Sequence, residues 1–388
     1  MPVLPHLRSK VLLVGSLLGL SAAWPLDFLI FRENRIVEGQ GIPLLQAAPW
    51  FAWLGFFLFW GYFLTRSFSG SERIRAFELV PAALAPPCLL FFLGEAATRI
   101  LSTAQPYARV SMGPGIWISA VALFILLVDL YSRYGREKAK YLPLGTSAIL
   151  VLWISASGQL NDLSLLTELI QRKARFAAEL GNHLWITGVS VGLSTLGGIP
   201  LGFAVFRRAW LREKVFSILN IVQTIPSLAL FGLLIAPLSL LAATVPLLKE
   251  MGIQGIGWTP AVIALTLYAM LPVVRNTYAG LAGVEPELVE AGKGMGMSRV
   301  QLLVFVELPR AFPIVLGGLR IACVQNVGNT AVAALIGAGG LGVFIFQGLG
   351  QSALDLIMLG AVPTILLAVG VDALFQVLIR LVTPRGLQ

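Results

Sequence analysis

The sequence predicts an all-α membrane protein with about ten spanning helices. Only 12% of its 388 residues are charged and 57% are hydrophobic, whereas soluble domains carry about 25% charge. The mean hydropathy is +0.84. Apolar stretches long enough to cross a bilayer, which takes about 20 residues, recur along nearly the whole chain. These observations exclude an ordinary soluble domain.

Ten apolar segments are candidates for spanning helices. They fall at approximately 11–31, 49–65, 78–94, 112–131, 141–158, 183–206, 214–236, 259–282, 311–337 and 352–380. The first could instead be a cleaved signal peptide, because Ser21-Ala22-Ala23 resembles a cleavage site. Its apolar stretch is longer than a usual signal-peptide core, which favours an uncleaved span.

Basic residues predict the orientation of these spans. Eighteen of the 28 Lys and Arg residues fall in loops on one side and eight in loops on the other. Cytoplasmic loops of membrane proteins collect Lys and Arg. We therefore expect both termini in the cytoplasm. As a separate expectation, the membrane is the inner membrane of a bacterium. The same rule accounts for the net charge of +9, so nucleic acid is not an expected partner.

The segments divide the chain into two groups of five. Residues 1–158 form an N-terminal extension of about five spans, and residues 183–388 form the second group. Between them, residues 159–182 repeat apolar side chains at helical spacing among charges, which predicts an amphipathic linker helix on the outer surface. A solvated linker is the alternative. The two halves show no internal similarity.

A polar loop at 285–309 interrupts the second group. Pro286 fits the first turn of a helix, and Gly296 fits a turn because glycine accepts a positive φ. Ser298 can cap a second helix, which Pro309 should stop or kink. Ala291 and Gly292 are small, which would let another surface approach closely. The pattern predicts a rigid helical hairpin outside the bilayer.

This spacing resembles the EAA loop of binding-protein-dependent ABC importer permeases. One departure is Gly292, where that family usually has a second alanine. The resemblance implies that the C-terminal five spans form a type I ABC importer core. It also implies that the hairpin docks in a groove of a separate ATP-binding subunit. The coupling residues would be Glu290, Ala291, Gly292, Gly296, Leu308 and Pro309.

Two further stretches, 223–230 and 267–278, resemble the osmoprotectant branch, whose members import glycine betaine, carnitine or choline. The resemblance implies a second permease subunit, an identical copy or a relative, and an extracytoplasmic solute-binding protein. ATP would bind the partner, so we expect no cofactor on this chain and no enzymatic activity of its own. The added spans before residue 159 are similar to those of Yeh-type permeases.

Polar side chains inside the predicted spans have two interpretations. Polar groups in hydrocarbon must be paired or must face a cavity, so these residues either line the pathway or join helices by hydrogen bonds. The candidates for the pathway are Asn220, Gln223, Gln325, Asn326, Asn329 and Thr330. Asp372 and Arg320 are intramembrane charges that we expect to fix packing or to lie near an interface.

A glycine-rich stretch matches the dinucleotide pattern G-x-G-x-x-G without its context. It follows an apolar span instead of a strand and lacks the acidic residue about 20 positions later. In the resembling family such turns follow the EAA span, which implies a bend at the outer gate. The glycines are Gly337, Gly339, Gly340 and Gly342. With two cysteines and two histidines, no metal centre is expected.

Three other functions are alternatives to an osmoprotectant importer. An ABC permease for an amino acid or a sulfonate would keep the same loop. An ion-coupled secondary transporter predicts matching halves and clustered intramembrane carboxylates, and neither is visible. A membrane-embedded enzyme would require a group of His, Asp or Glu within the spans.

Overall fold

The structure is a computed structural model that describes residues 9–34, 37–68, 76–133, 137–250 and 252–383. The chain divides into two compact units, residues 1–171 and 172–388. The division falls within the segment 159–182.

The N-terminal unit contains helices and one small sheet. Its elements are α1 (Lys10–Ala23), β1 (Asp27–Arg32), β2 (Gln40–Pro43), α2 (Leu44–Ala47), α3 (Trp50–Ser67), α4 (Ala76–Leu101), β3 (Arg109–Met112), α5 (Pro114–Arg133), α6 (Glu137–Ala156) and α7 (Ser164–Gln171). The sheet has the order β2-β1-β3, and both pairs are antiparallel. Ile30 lies opposite Gly41 on one side and Ser111 on the other.

This sheet corrects the prediction of a single span over 11–31. Helix α1 ends at Ala23, two residues before Pro25, and β1 begins at Asp27. Proline cannot donate a helical hydrogen bond and disfavours helical backbone at the residue before it. The apolar residues of β1, led by Phe28 and Leu29, enter a core together with Val110 of β3. The predicted span is therefore a helix of 14 residues followed by a strand of six.

The C-terminal unit is helical throughout its described residues. Its elements are α8 (Lys173–Arg207), α9 (Ala209–Thr224), α10 (Ser227–Thr244), α11 (Pro246–Glu250), α12 (Trp258–Ala282), α13 (Pro286–Gly294), α14 (Arg299–Leu302), a π-helical turn (Leu303–Glu307), α15 (Leu308–Ala333), a 3-10 turn (Ala334–Ile336), α16 (Gly342–Gly350) and α17 (Leu354–Val382).

The helical membrane class is confirmed, while the number of ten spans is not. Among the described residues, seven helices are long and apolar enough to cross a membrane, and α1 and residues 141–156 are shorter apolar helices. The predicted span 214–236 is broken at Pro226 into α9 and α10. Residues 173–182 are the first turns of α8 instead of part of a linker.

Helix α12 is the centre of the C-terminal unit. In the apolar stretch of 18 residues within α12, 67% is buried, whereas the corresponding share in α17 is 17%. Helices α8 and α15 both pack along it. Gly198 and Gly202 of α8 let this helix lie close to α12. A Cβ at Gly198 would lie 2.8 Å from Cγ1 of Val273 on α12. Two small residues four apart are the usual device for close helix packing in membranes.

We expect Gly202→Leu to destabilise the protein by about 1–3 kcal/mol, the range for overpacking. A Cβ there would lie 2.6 Å from the Cβ of Thr277 and 2.9 Å from the carbonyl oxygen of Val274. Thermal unfolding in detergent measures the effect. The control is Gly192→Leu on the same helix, where a Cβ meets open space. Equal midpoints for the two variants would contradict this packing.

Candidate functional site

The polar loop forms a helical hairpin whose turn depends on Gly296. Helix α13 begins with Pro286 at its first position. After its end the chain turns through Gly296, which has φ +80°. Two reciprocal hydrogen bonds close the turn, from Met297 N–H to the Gly292 carbonyl (3.1 Å) and from Gly296 N–H to the Lys293 carbonyl (2.9 Å). This pair is a Schellman motif. The predicted left-handed glycine is confirmed.

Neighbouring residues of α13 in the hairpin differ in their exposure. Glu290 and Ala291 are exposed, so another surface can reach them. Gly292 is buried, and a Cβ on it would lie 2.5 Å from a methyl of Leu302. The expectation that Gly292 opens the hairpin to a second surface is therefore corrected. Its small size lets α13 pack against α14.

The second arm of the hairpin joins the following span without a break in helical backbone. Ser298 forms a capping box with Gln301, in which Ser298 N–H donates to Gln301 Oε1 at 2.8 Å. After α14 the chain forms the π-helical turn, in which Leu308 N–H donates to the Leu303 carbonyl. Pro309 follows in the first turn of α15. The wider turn precedes the proline, which cannot donate a helical hydrogen bond.

An ion pair connects the end of the π-helical turn to α8. Glu307 is buried, and its Oε2 accepts from Nη2 of Arg207 at 2.7 Å. Arg207 lies in the last turn of α8, with its guanidinium 5.2 Å from the ring centres of both Phe203 and Phe206. If the hairpin moves, either this ion pair breaks or the end of α8 moves together with the hairpin.

Asn326 joins three helices in the core of the unit. Its side chain is fully buried, and Nδ2 donates to Ser190 Oγ of α8 at 3.0 Å and to the Leu265 carbonyl of α12 at 3.1 Å. One turn further along α15, the Thr330 and Thr187 hydroxyls lie 2.9 Å apart. For Asn326 and Thr330 the structure therefore shows interhelical hydrogen bonding.

The remaining candidates for the pathway lie in other surroundings. Gln325 and Asn329 are partly exposed, and neither side chain makes a hydrogen bond with the parts of the chain that the structure describes. Gln223 of α9 donates to the Tyr268 carbonyl at 2.7 Å, beside the break at Pro226. Asn220 is exposed and accepts from Arg275 at 3.2 Å.

The glycine-rich stretch is a tight turn held to α8. Gly337, Gly339 and Gly340 all have positive φ. The turn is fixed where Gly340 N–H donates to Glu179 Oε2 at 2.7 Å. A Cβ on Gly342 would lie 1.8 Å from the Ala331 carbonyl oxygen, so only glycine fits there.

His183 contacts the same turn through one ring nitrogen and α15 through the other. Leu341 N–H donates to Nδ1 at 3.3 Å, and Nε2 lies 3.0 Å from the Val327 carbonyl. Since Nδ1 accepts, the hydrogen must be on Nε2. We name Glu179, His183 and the turn 337–342 the glycine latch. It ties the start of α8 to the end of α15.

Sequence reasoning missed the polar side of α8. Glu179, His183, Thr187, Ser190 and Ser194 are three or four residues apart, so they lie on one face of the helix. All except Glu179 are buried. This spacing is visible in the sequence and could have predicted that the polar side of α8 faces the core of the helical bundle. We call these residues the polar seam.

Residues 194–386 match a family described as "Binding-protein-dependent transport system inner membrane component". The osmoprotectant import permease protein OsmW of Salmonella typhimurium is 43% identical over 206 residues, which cover 53% of this chain and 91% of that protein. The chain belongs to the binding-protein-dependent transport permeases. It is a multi-pass protein of the inner membrane, and its C-terminal unit has the fold of a type I ABC importer core.

Two further sequence similarities agree with this family. The glycine betaine/carnitine/choline transport system permease protein OpuCB of Bacillus subtilis is 41% identical over 208 residues, covering 54% of this chain and 88% of that protein. Residues 7–166 match the family "ABC transporter permease YehY, N-terminal domain". A solved structure of the MetNI methionine ABC transporter covers 54% of this chain and 96% of its own at 25% identity, with a TM-score of 0.47.

We expect Arg207→Gln to lower the free energy of unfolding by about 2 kcal/mol, because it leaves the Glu307 carboxylate buried without its partner. Half-exposure of Arg207 keeps the effect below that of a fully buried pair. Glu307→Gln should have a smaller effect, and the double variant should lose less than the sum of the two. Denaturant unfolding in detergent gives the three values. Arg208→Gln, at the exposed neighbour, is the control, and additivity would rule out a coupled pair.

We expect His183→Leu to loosen the glycine latch, because it removes both hydrogen bonds of the ring. Hydrogen exchange at the amides of Gly340 and Leu341 should become about tenfold faster, as expected for losing roughly one net hydrogen bond. Glu179→Gln keeps an acceptor oxygen and should change exchange less. Unchanged exchange in His183→Leu would show that the turn holds itself without the ring.

Proposed function

We propose that this chain is the permease subunit of an ATP-driven importer of osmoprotectants, with glycine betaine or a related quaternary ammonium compound as the solute. The observation that carries the coupling role is the exposed hairpin, which continues through the π-helical turn into α15. A separate ATP-binding subunit would seat the hairpin on the cytoplasmic side. ATP would bind and be hydrolysed on that partner.

The hairpin has the surface that such a contact requires. Glu290 and Ala291 are exposed on α13. Around them lie apolar side chains with most of their surface exposed: Met295 at 72%, Val300 at 69% and Phe305 at 68%. Large exposed apolar groups on a polar loop are typical of protein contacts. Closure of the ATPase would displace this surface, and α15 would carry the movement into the membrane.

A second permease copy, or a related chain, would complete the pathway. The buried face of α15 is occupied by Asn326 and Thr330, so we assign pathway lining to the neighbouring face. That face carries Gln325 and Asn329, with exposed Gly328 between them. Two such faces opposite each other would offer amides to a polar solute. Transport would then follow alternating access, as a shift between two conformations.

The choice of solute rests on the relatives. The names of OsmW and OpuCB mention osmoprotectants and glycine betaine, carnitine and choline. A third relative, OpuBB of Bacillus subtilis, is 39% identical and is named as a choline transport system permease protein. An extracytoplasmic binding protein would deliver the solute. The alternative is an ABC permease for an amino acid or a sulfonate, which would use the same hairpin.

Ion-coupled secondary transport has less support. Such a transporter would use an intramembrane carboxylate that can gain and lose a proton or ion. Asp372 on α17 instead receives two hydrogen bonds from Arg320 on α15, at 2.5 and 2.9 Å, and one from Gln376 at 2.7 Å. A carboxylate so paired fixes the packing of α15 and α17.

We expect Gly296→Val to abolish most ligand-stimulated ATP hydrolysis, because valine at φ +80° is strained and would distort the hairpin. The measurement is co-purification with candidate ATPase and binding proteins, followed by ATP hydrolysis in liposomes with glycine betaine. Gly294→Val is the control, since Gly294 is the last residue of α13 and a Cβ there meets open space.

Two outcomes would contradict separate parts of the proposal. Unaltered assembly and hydrolysis in Gly296→Val would remove the coupling role of the hairpin. Stimulation by an amino acid or a sulfonate, with none by betaine, choline or carnitine, would replace the solute and leave the ABC permease intact.

A further inference from the structure

The N-terminal unit contains an apolar cavity between α3 and α4. Its volume is about 420 Å³, within the range of small-molecule sites. Side chains of α3 and α4 form most of its walls, and the lining includes the buried side chains of Trp60 on α3 and Leu123 on α5. The lining is almost wholly apolar, and a polar solute would find nothing to bind there.

Helix α4 carries prolines beside the cavity, and these disfavour a straight helix packed closely along α3. Pro81, Pro86 and Pro87 all lie inside α4. Each removes a helical hydrogen bond and places a ring against the preceding turn, which bends a helix. On α3, Gly55 lines the cavity and presents no side chain to fill it. The gap is therefore built into the sequences of both helices.

The dimensions of the cavity fit one leaflet of a bilayer. The lining runs from Phe51 to Trp60 on α3, about 14 Å at 1.5 Å per residue, and from Pro81 to Phe92 on α4, about 16 Å. The hydrocarbon of one leaflet is about 15 Å thick. Trp50, largely exposed at the start of α3, is a residue type enriched at the membrane interface. The cavity begins beside it and extends inward.

A neighbouring helix is a poorer occupant than an acyl chain. A helix with its side chains is about 10–12 Å wide, so a single turn of 5.4 Å would occupy about 400 Å³ or more. That one turn would fill a cavity whose lining is three turns long. A thin, flexible hydrocarbon chain can follow the whole length.

Two charges lie beyond the outer end of the cavity, on the face of α4 that lines it. Cys88 and Phe92 of the lining are followed at helical spacing by Glu95 and Arg99. Nη2 of Arg99 donates to the Ala47 carbonyl at 2.5 Å, next to the lining residue Ala48. The exposed guanidinium has five N–H donors in all, enough to bind a phosphate as well.

We propose that this cavity binds one acyl chain of a zwitterionic membrane phospholipid, whose phosphate contacts Arg99. Glu95, one turn earlier and exposed, would face the cationic part of the headgroup. The lipid would fill the gap between α3 and α4 and become a structural part of the N-terminal unit. The site is independent of the transport function proposed above.

The full chain, purified in mild detergent and titrated with phosphatidylethanolamine, tests this by native mass spectrometry. Gly55→Leu places a side chain in the cavity and should reduce the bound lipid about tenfold. Gly61→Leu on the same helix also meets open space but does not line the cavity, so it should bind one lipid like the natural chain. Equal binding by both variants overturns the proposal. A change from dimer to monomer in Gly55→Leu, with lipid binding unchanged, also overturns it, because the cavity would then contact a second copy of the chain instead of a lipid.

The headgroup contact has its own test. Arg99→Gln should weaken binding of phosphatidylethanolamine and leave binding of diacylglycerol, which has no phosphate, unchanged. Equal loss of both lipids, or loss of neither, overturns the contact at Arg99.

A chemical readout checks occupancy of the cavity directly. Cys88 lines the cavity and Cys323 lies in the other unit. In a Cys323→Ser background, phosphatidylethanolamine should slow alkylation of Cys88 by N-ethylmaleimide about tenfold. In the Gly55→Leu variant of that background the lipid should have no effect on the rate. Protection that is equal in both chains overturns the placement of the lipid.

Discussion

The buried amide of Asn326 sets the arrangement on which the C-terminal unit depends. A polar group in an apolar core is costly unless it is paired, and Nδ2 of Asn326 donates to partners on α8 and α12 at the same level of the bundle. The Thr330–Thr187 contact repeats the link one turn away. Sliding or rotating any of the three helices would leave donors unpaired in hydrocarbon. The polar seam therefore fixes the register of α8, α12 and α15.

Both ends of this three-helix unit inherit that register. Toward one end, α8 carries Arg207 and α15 begins beside Glu307, so the ion pair forms where the hairpin joins the bundle. Toward the other end, α8 carries Glu179 and His183, and α15 leads into the glycine turn. The hairpin and the glycine latch are thus tied to opposite ends of the same two helices. A movement at one end has a rigid route to the other.

Local chemistry explains which parts of the site could be predicted from the sequence. The hairpin follows from Pro286, Gly296 and Ser298, and each of these residues acts within a few positions of itself. Pro309 was expected to stop or kink the second helix, but the helical backbone continues through it in the first turn of α15. The ion pair between Arg207 and Glu307 joins residues a hundred positions apart, so no local pattern announces it. The sheet was missed because the four central residues of β1, 28–31, are as apolar as a span, and hydropathy alone does not distinguish a buried strand from a helix.

The π-helical turn at Leu303–Glu307 has a consequence for how the hairpin is aimed. A π-helical turn is in effect an α-helix with one additional residue. Removing a residue there would turn everything before it by about 100° around the axis of α15 and move it by about 1.5 Å. Glu290 would then point in another direction although none of its own neighbours had changed. The direction in which the hairpin faces thus depends on the number of residues in the π-helical turn. An insertion or deletion in this turn would rotate the hairpin around the axis of α15.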